Sequence, residues 1–335
     1  MKTAAFIMPV HIKGTEFDLR FFREAVDSIK HQTDTDWVLI MVDDFSDDRA
    51  VYEVIDGFKA ELKDKLHVIY SDKNYGAGAA RNTGIAYAKE IGAPFILFLD
   101  SDDISHPKRL ELVGKAFESD ETVNVVYTSF DVIDENGNFT PHDEISLPVR
   151  EIIDGHKVDI VEGEHAWIQI ATKKKYTNLT SCTAVRTSLA AEERFPNTSC
   201  SEDCHTWMRY GAHPGKFVFL CEIKGLYRIR RGIQSRSRSQ HADFYEQMFR
   251  SDSDGFEQAM IRAEKFGTMD DRDENDLRVA FYVRLALNLL HSGVTEYCKR
   301  SLAMAMRISK EKTFEYIDKL YCYPHDKDNL KAMIE

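Results

Sequence analysis

The residues best able to do chemistry in this chain are acids placed at the ends of apolar runs. Phe95-Ile96-Leu97-Phe98-Leu99 leads directly into Asp100, Ser101, Asp102 and Asp103. Such a run reads as a strand buried on both faces of a parallel sheet, and the C-terminal edge of an open α/β sheet is where ligands bind. Carboxylates this close repel one another and favour a bound cation. Hard oxygen donors suit Mg²⁺ or Mn²⁺, which commonly bridge to substrate phosphates. A solvated acidic loop or a helix cap ahead of His106-Pro107-Lys108 is the plainer reading of the same residues. A second pair, Asp43-Asp44, closes the apolar run 37–42. There a carboxylate can accept hydrogen bonds from a base or ribose, or serve as turn and cap. Asn74-Tyr75-Gly76-Ala77-Gly78 opens a helical stretch. Its glycines allow close backbone approach where helix amides favour anions, and Arg81 adds a fork that can meet a phosphate. Glu202 and Asp203 follow Ser201 into the first turn of another helix, where negative charge is favoured in any case. The stretch 228–239 is the one strongly basic run and reads either as a solvated segment or as an active-site lid.

The whole chain narrows the possibilities. Its 335 residues suit one large domain or two to three smaller ones, with room for a sizeable core. A net charge of −12 argues against a general nucleic-acid binder, which usually carries a basic excess. Six scattered cysteines without a Cys-x-x-Cys pair fit reduced cytosolic thiols better than disulfides or zinc. The N-terminal residues run straight into a strand pattern with too short an apolar core for a signal peptide, and no run approaches transmembrane length. A cytoplasmic protein is expected, and the sequon matches at Asn138, Asn178 and Asn197 read as chance.

These candidates must be positioned by an alternation of elements. Strands are expected at 4–10, 37–42, 66–70 and 95–99. Helices are expected at 17–31, at about 49–63 with Ser46 or Asp47 as cap, and from 74–78 to about 91. This alternation predicts a parallel sheet with helices on both faces. Next come a helix at 107–117 with Pro107 near its start, a strand at 123–132, and a hairpin turn at 134–138 signalled by Asn136-Gly137. Residues 139–160 read as irregular, 161–172 as a helix ending in the basic tip Lys173-Lys174-Lys175-Tyr176, and 181–185, 217–220 and 225–228 as strands. Ser201 is expected to cap a helix that carries Trp207 on one face. From about 243 the pattern is helical, at 244–249, 256–266, 277–290, 297–308 and 314–320. This predicts a helical appendage whose apolar stripes read as core, with oligomer or membrane-surface contact as the alternative.

Four segments in register resemble the successive signatures of glycosyltransferase family 2. They are Ile7-Met8-Pro9-Val10, Val42-Asp43-Asp44-Phe45-Ser46-Asp47, the stretch from Asn74 to Gly84, and Phe98-Leu99-Asp100-Ser101-Asp102-Asp103. The resemblance covers about the first third of the chain. It implies an α/β protein of the GT-A fold, a Rossmann-like, mostly parallel sheet with flanking helices, here with a C-terminal α-helical appendage. It implies a nucleotide-sugar-binding half at 1–115, an acceptor-binding half with a basic loop at 116–242, and a helical region at 243–335. Pro9 and His11 would lie beside the base, His11 standing where the family usually has tyrosine and Ile12 where it has asparagine. Asp43, Asp44, Asn74, Gly76, Arg81 and Ser101 would surround the donor. Asp100 would face ribose or metal and Asp102 would ligate the metal, Mn²⁺ or Mg²⁺. Residues 201–209 resemble the family's acceptor-side motif, a Glu-Asp pair followed by an aromatic and an arginine. That implies Asp203 as catalytic base, with Glu202 and Trp207 on the acceptor side. The run from Arg228 resembles a loop that closes over the pyrophosphate, which implies donor contacts by Arg228 and Arg231. Where many members carry a histidine beside the metal, Arg230 or Arg231 stands here, with His241 as a substitute.

The expected activity is metal-dependent, inverting transfer of a sugar from a nucleoside-diphosphate sugar, UDP-linked by analogy with the family, to a hydroxyl. The acceptor would be a glycan, a lipid-linked oligosaccharide or a protein, with nucleic acid less favoured. A non-catalytic nucleotide-sugar-binding module on the same fold is the alternative. A sugar-nucleotide nucleotidyltransferase fits less well, because the usual Gly-rich stretch after the first strand is reduced here to Val10-His11-Ile12-Lys13-Gly14.

Overall fold

Strand β1 (Ala4–Val10) is buried along its whole length, as a strand inside a parallel sheet must be. The computed structural model describes residues 3–13, 15–173, 178–198, 200–231, 243–320 and 322–334. Helix α1 (Glu16–Lys30) buries Phe21, Phe22, Ala25, Val26 and Ile29 along one stripe, and the Thr15 hydroxyl caps it by accepting from the Asp18 amide. Then follow β2 (Trp37–Asp43), α2 (Arg49–Leu62), β3 (Leu66–Tyr70), α3 (Ala77–Glu90) and β4 (Phe95–Phe98). The cap of α2 is Asp48, whose carboxylate accepts from the Ala50 amide, rather than Ser46 or Asp47. Ser46 is already committed, since its Oγ accepts from the Ile12 amide at 3.0 Å.

The sheet has seven strands in the order β3-β2-β1-β4-β6-β5-β7, with β5 at Val123–Ile133, β6 at Thr183–Arg186 and β7 at Lys216–Arg228. Only β6 runs antiparallel to its neighbours. The two strands expected at 217–220 and 225–228 are one strand, β7, whose register against β5 shifts where Thr128 gives way to Ser129. Helix α4 (Arg109–Ser119) starts just after Pro107. Residues 139–160 are not irregular: α5 (Leu147–Val158) forms there with proline in its first turn. The helix expected over 161–172 contracts to α6 (Ala166–Thr172), because Gly163 and His165 take positive φ and Gly163 pairs with Phe217 instead. Helices α7 (Thr187–Glu192) and α8 (Glu202–Gly211) complete this part. The basic tip at Lys174, Lys175 and Tyr176, and the basic run beyond Arg231 including His241, lie outside the described residues.

The C-terminal region comprises α9 (Phe244–Phe266), α10 (Glu274–His291), α11 (Thr295–Ile308), α12 (Lys310–Lys319) and α13 (Pro324–Ala332). The segments expected at 244–249 and 256–266 are one helix. Its core is continuous with that of the sheet: one buried cluster runs from Ile7 and Phe98 through Trp207 to Phe256, Phe281, Leu302 and Leu330. Among the described residues no helix is long and apolar enough to cross a membrane.

Candidate active site

The C-terminal edges of β1, β2 and β4 meet on one side of the sheet. At the end of β2, Asp43 and Asp44 are both buried. Asp44 Oδ1 accepts from the Tyr75 amide at 2.9 Å and Oδ2 from the Gly76 amide at 2.7 Å, while its main-chain oxygen meets His11 Nδ1 at 2.9 Å. Asn74 Oδ1 accepts from the same Gly76 amide at 3.0 Å. Gly76 has φ +89, a conformation L side chains rarely adopt, so glycine is required where the chain turns into α3. Asp43 Oδ1 accepts from the Ser46 amide at 3.3 Å. These acids thus hold together the loop that brackets the edge, with Pro9 and His11 beside them.

Arg81, in the second turn of α3, is almost fully buried. Its Nη2 donates to Asp100 Oδ1 at 2.7 Å and its Nη1 to Glu202 Oε1 at 3.0 Å. Burial opposes its charge, but Asp100 and Glu202 outweigh burial and hold its pKa above the usual value. The Phe195 ring lies 5.4 Å from the guanidinium, and Asn82 clamps Phe195 by donating to its carbonyl at 2.9 Å and accepting from its amide at 2.8 Å. One arginine therefore ties the end of β4 to the start of α8.

The acidic loop after β4 is held from below. The Asp100 amide donates to Ser181 Oγ at 3.0 Å, and the Arg228 amide donates to the carboxylate of buried Asp103 at 2.9 Å. Burial, then the Asp102 and Asp100 charges, push the Asp103 carboxyl well above the usual range. Burial raises the Tyr227 phenol too, and after burial the carboxylates of Asp103, Asp102, Asp100 and Asp203 each add to the rise. Tyr227 thus lies within the field of the donor-side acids and of Asp203. Ser181 and Tyr227 join the site although no sequence motif points to them. Asp103 was visible as a third acid, but Tyr227 arrives through a contact no local pattern announces, the bridge between Leu226 and Ile104.

Asp203 opens α8 and is half-buried, with Oδ1 accepting from the Cys204 amide at 2.7 Å. Burial and the Glu202 carboxylate push its pKa up to about 7; Asp252 adds to the rise, and the Cys204 amide and Arg81 oppose it. Three expectations need correction here. Ser201 occupies the cap position with φ 57 but does not cap its helix, because its Oγ donates to Asp252. Trp207 does not reach an acceptor: it is fully buried among Phe98, Phe195 and Tyr210. The Arg228 side chain does not point at a donor. It is buried over Phe21 and donates to the Asp102 carbonyl at 2.9 Å, the Asp134 carbonyl at 3.2 Å and Glu24 at 2.6 Å. Arg231 is exposed, with its amide donating to Glu135 at 3.0 Å, and Arg230 pairs with Asp18. Ser101 is half-buried between the two acids expected to hold metal.

Asp100 and Asp102 offer hard oxygen donors at a sheet edge. Among the described residues no three His, Cys, Asp or Glu side chains are arranged to hold an ion by themselves. This donor set fits Mg²⁺ or Mn²⁺ of the kind bound by one or two carboxylates, with substrate phosphates and water completing the shell.

Residues 6–185, more than half of the chain, match the model of Glycosyl transferase family 2, and the chain belongs to that family. A glycosyltransferase of Methanocaldococcus jannaschii is 33% identical over 119 residues, which span 36% of this chain and 40% of that relative. Among solved structures, residues 1–349 of TarS from S. aureus in complex with UDP-GlcNAc align with a TM-score of 0.56 at 18% identity, over 96% of this chain and 93% of that one. The mannosyltransferase PcManGT of Pyrobaculum calidifontis, in complex with GDP-Man and Mn²⁺, aligns with a TM-score of 0.52 at 15% identity, over 91% and 86%. At these identities the likeness is one of fold, and that fold is GT-A.

Proposed function

We propose that this enzyme moves a sugar from a nucleoside-diphosphate sugar to an acceptor hydroxyl on a glycan or lipid-linked oligosaccharide, with inversion and with a divalent cation. The observation that carries the reading is the bridge made by Arg81, which donates to Asp100 at 2.7 Å and to Glu202 at 3.0 Å, the residue beside Asp203. It brings a donor-side acidic edge and an acidic helix start to one place. The donors held by TarS and PcManGT belong to the proposed chemical class. UDP-linked sugars are the first choice.

Pro9, His11, Asp43 and Asp44 flank the base and ribose, and the amides at the start of α3 suit the diphosphate. Asp100 and Asp102 are the residues that would hold Mn²⁺ or Mg²⁺, and such an ion supplies neutralisation of the diphosphate leaving group. Arg81 fixes the orientation of Asp100 and Glu202 from behind. The acceptor hydroxyl gives its proton to Asp203. Its oxygen forms a bond to the anomeric carbon from the face opposite the diphosphate. The bond from that carbon to the diphosphate oxygen breaks, and the electron pair leaves with the nucleoside diphosphate. A single displacement inverts the configuration. A pKa near 7 suits a general base working at neutral pH, where both its free form and its basicity are appreciable.

The test is release of nucleoside diphosphate from a panel of UDP- and GDP-sugars with Mn²⁺ or Mg²⁺, with proton NMR of the product's anomeric signal. Release that falls about 10²–10⁴-fold in Asp203→Asn, together with an inverted anomer, supports the reading. Donor binding without release from any sugar would instead support the non-catalytic module.

A further inference from the structure

The start of α8 is held in an unusual way. Ser201 has φ 57, in the left-handed region that serine seldom occupies. Such a conformation persists only where surrounding contacts impose it. The contact is specific: Ser201 Oγ donates to Oδ1 of Asp252, a fully buried carboxylate on α9. A second link lies one turn along, where His205 Nε2 meets Asp254 Oδ2 at 2.9 Å. The two helices touch backbone to backbone beside the second link, since a methyl added at Gly255 would come within 2.8 Å of His205 Cα. Three positions within one turn of α9, 252, 254 and 255, thus grip the first turn of α8, and Asp203 stands in that turn.

Resting on the reading of Asp203 as the base, we propose that Asp252 is a positioning residue. Through Ser201 it fixes the start of α8, and so the place of the Asp203 carboxylate, which makes transfer depend on the C-terminal helices. Asp252 also faces Asp203 electrostatically. The charged groups around Asp203 are Glu202 on its own helix, Arg81 from α3, Asp252 from α9, and the acids 100, 102 and 103 that share Tyr227 with it. Of these, Glu202 and Asp252 raise its pKa and Arg81 lowers it. Removing the Asp252 charge therefore moves the acid limb of the rate profile to lower pH.

The experiment uses the full chain with Asp252→Asn, Asp252→Ala, Ser201→Ala and, as reference, Asp203→Asn. It measures nucleoside-diphosphate release against pH, affinity for the nucleoside diphosphate alone by calorimetry, and Tm. Asp252→Asn keeps an oxygen that can accept from Ser201 and removes the charge, so its acid limb should move to lower pH. Asp252→Ala and Ser201→Ala lose the contact, so kcat should fall about tenfold or more with nucleotide affinity unchanged. If Asp252→Ala fails to fold, Asp252→Asn and Ser201→Ala still decide the matter. An unmoved limb in Asp252→Asn together with an unchanged kcat in Ser201→Ala overturns the proposal, as does a loss of nucleotide affinity parallel to the loss of rate. A near-normal rate in Asp203→Asn brings down the reading of the base and this inference with it. A dead Asp203→Asn beside Asp252 and Ser201 variants that match wild type removes this inference alone.

Discussion

Arg81 Nη1 lies 3.0 Å from Glu202 Oε1, joining residues 121 positions apart in the chain. The same guanidinium holds Asp100 at 2.7 Å, so the acidic strand end and the helix that carries Asp203 share one buried cation. Replacing it with Gln leaves two carboxylates facing each other without their partner. Breaking a buried pair costs about 3–5 kcal/mol, and the lower end applies because both acids keep some contact with water. Arg81→Gln should lose about 3 kcal/mol in urea unfolding, and Arg81→Lys should recover only part of it, since one ammonium cannot reproduce the fork. A stability within error of wild type in Arg81→Gln would show that the bridge contributes little.

Asp203 makes a prediction about stability as well as rate. Its pKa is about 7 in the folded chain and about 4 when unfolded. Between those values the folded state binds more protons, so this group makes stability fall as pH rises from about 4 to about 7. Asp203→Asn removes that loss. Its Tm should therefore gain on wild type between pH 5 and pH 8, while transfer collapses at both. Parallel Tm curves for the two proteins would mean that Asp203 titrates normally.

For the cation, Asp102→Asn keeps the shape of the side chain and removes a charged ligand. Nucleoside-diphosphate binding measured with and without Mn²⁺ should lose its metal dependence in this variant, with Tm little changed. Full activity of the variant, or of wild type in EDTA, would remove the metal assignment.

His291 bridges Glu151 on α5 and Asp326 on α13, at 3.0 Å to each. Glu151 first, and then Asp326, raise its pKa to about 9 despite burial. The stabilisation is fully present below the unfolded value of about 6.5 and is lost as pH rises through about 9. His291→Gln should thus lower Tm clearly at pH 6 and hardly at pH 10. An equal loss at both would make the latch one of packing rather than charge.

Truncation after residue 242 tests how the helical region is joined to the rest. Trp207 and Met208 share one buried cluster with Phe256, Met260 and Phe281. Removing α9 onward would expose that apolar face, so residues 1–242 should be recovered aggregated or with a markedly lower Tm. A well-folded fragment that still binds nucleoside diphosphate would show a separable appendage.

The strand–helix alternation, the four strand ends and the acids on them were legible in the sequence, because period, length and apolar content are local properties. Asp43, Asp44, Asp100 and Asp102 are where that alternation put them, at the C-terminal edges of β2 and β4. Segments whose structure depends on distant partners were read less well. Residues 217–228 form one strand because β5 runs beside both ends of the segment across a register shift at Thr128 and Ser129, and Gly163 pairs with Phe217 instead of joining a helix. At the site, an aromatic on an acidic helix does not declare which way it faces; packing against Phe98 and Phe195 turned Trp207 inward. A serine before Glu-Asp looks like a cap, but Asp252, 51 positions away, took its hydroxyl. Residue types and their order determined which chemistry this chain can do. Only tertiary structure decided which side chains share a low-dielectric space, and burial beside Glu202 and Asp252, offset only in part by Arg81, is what brings Asp203 to a pKa near neutrality.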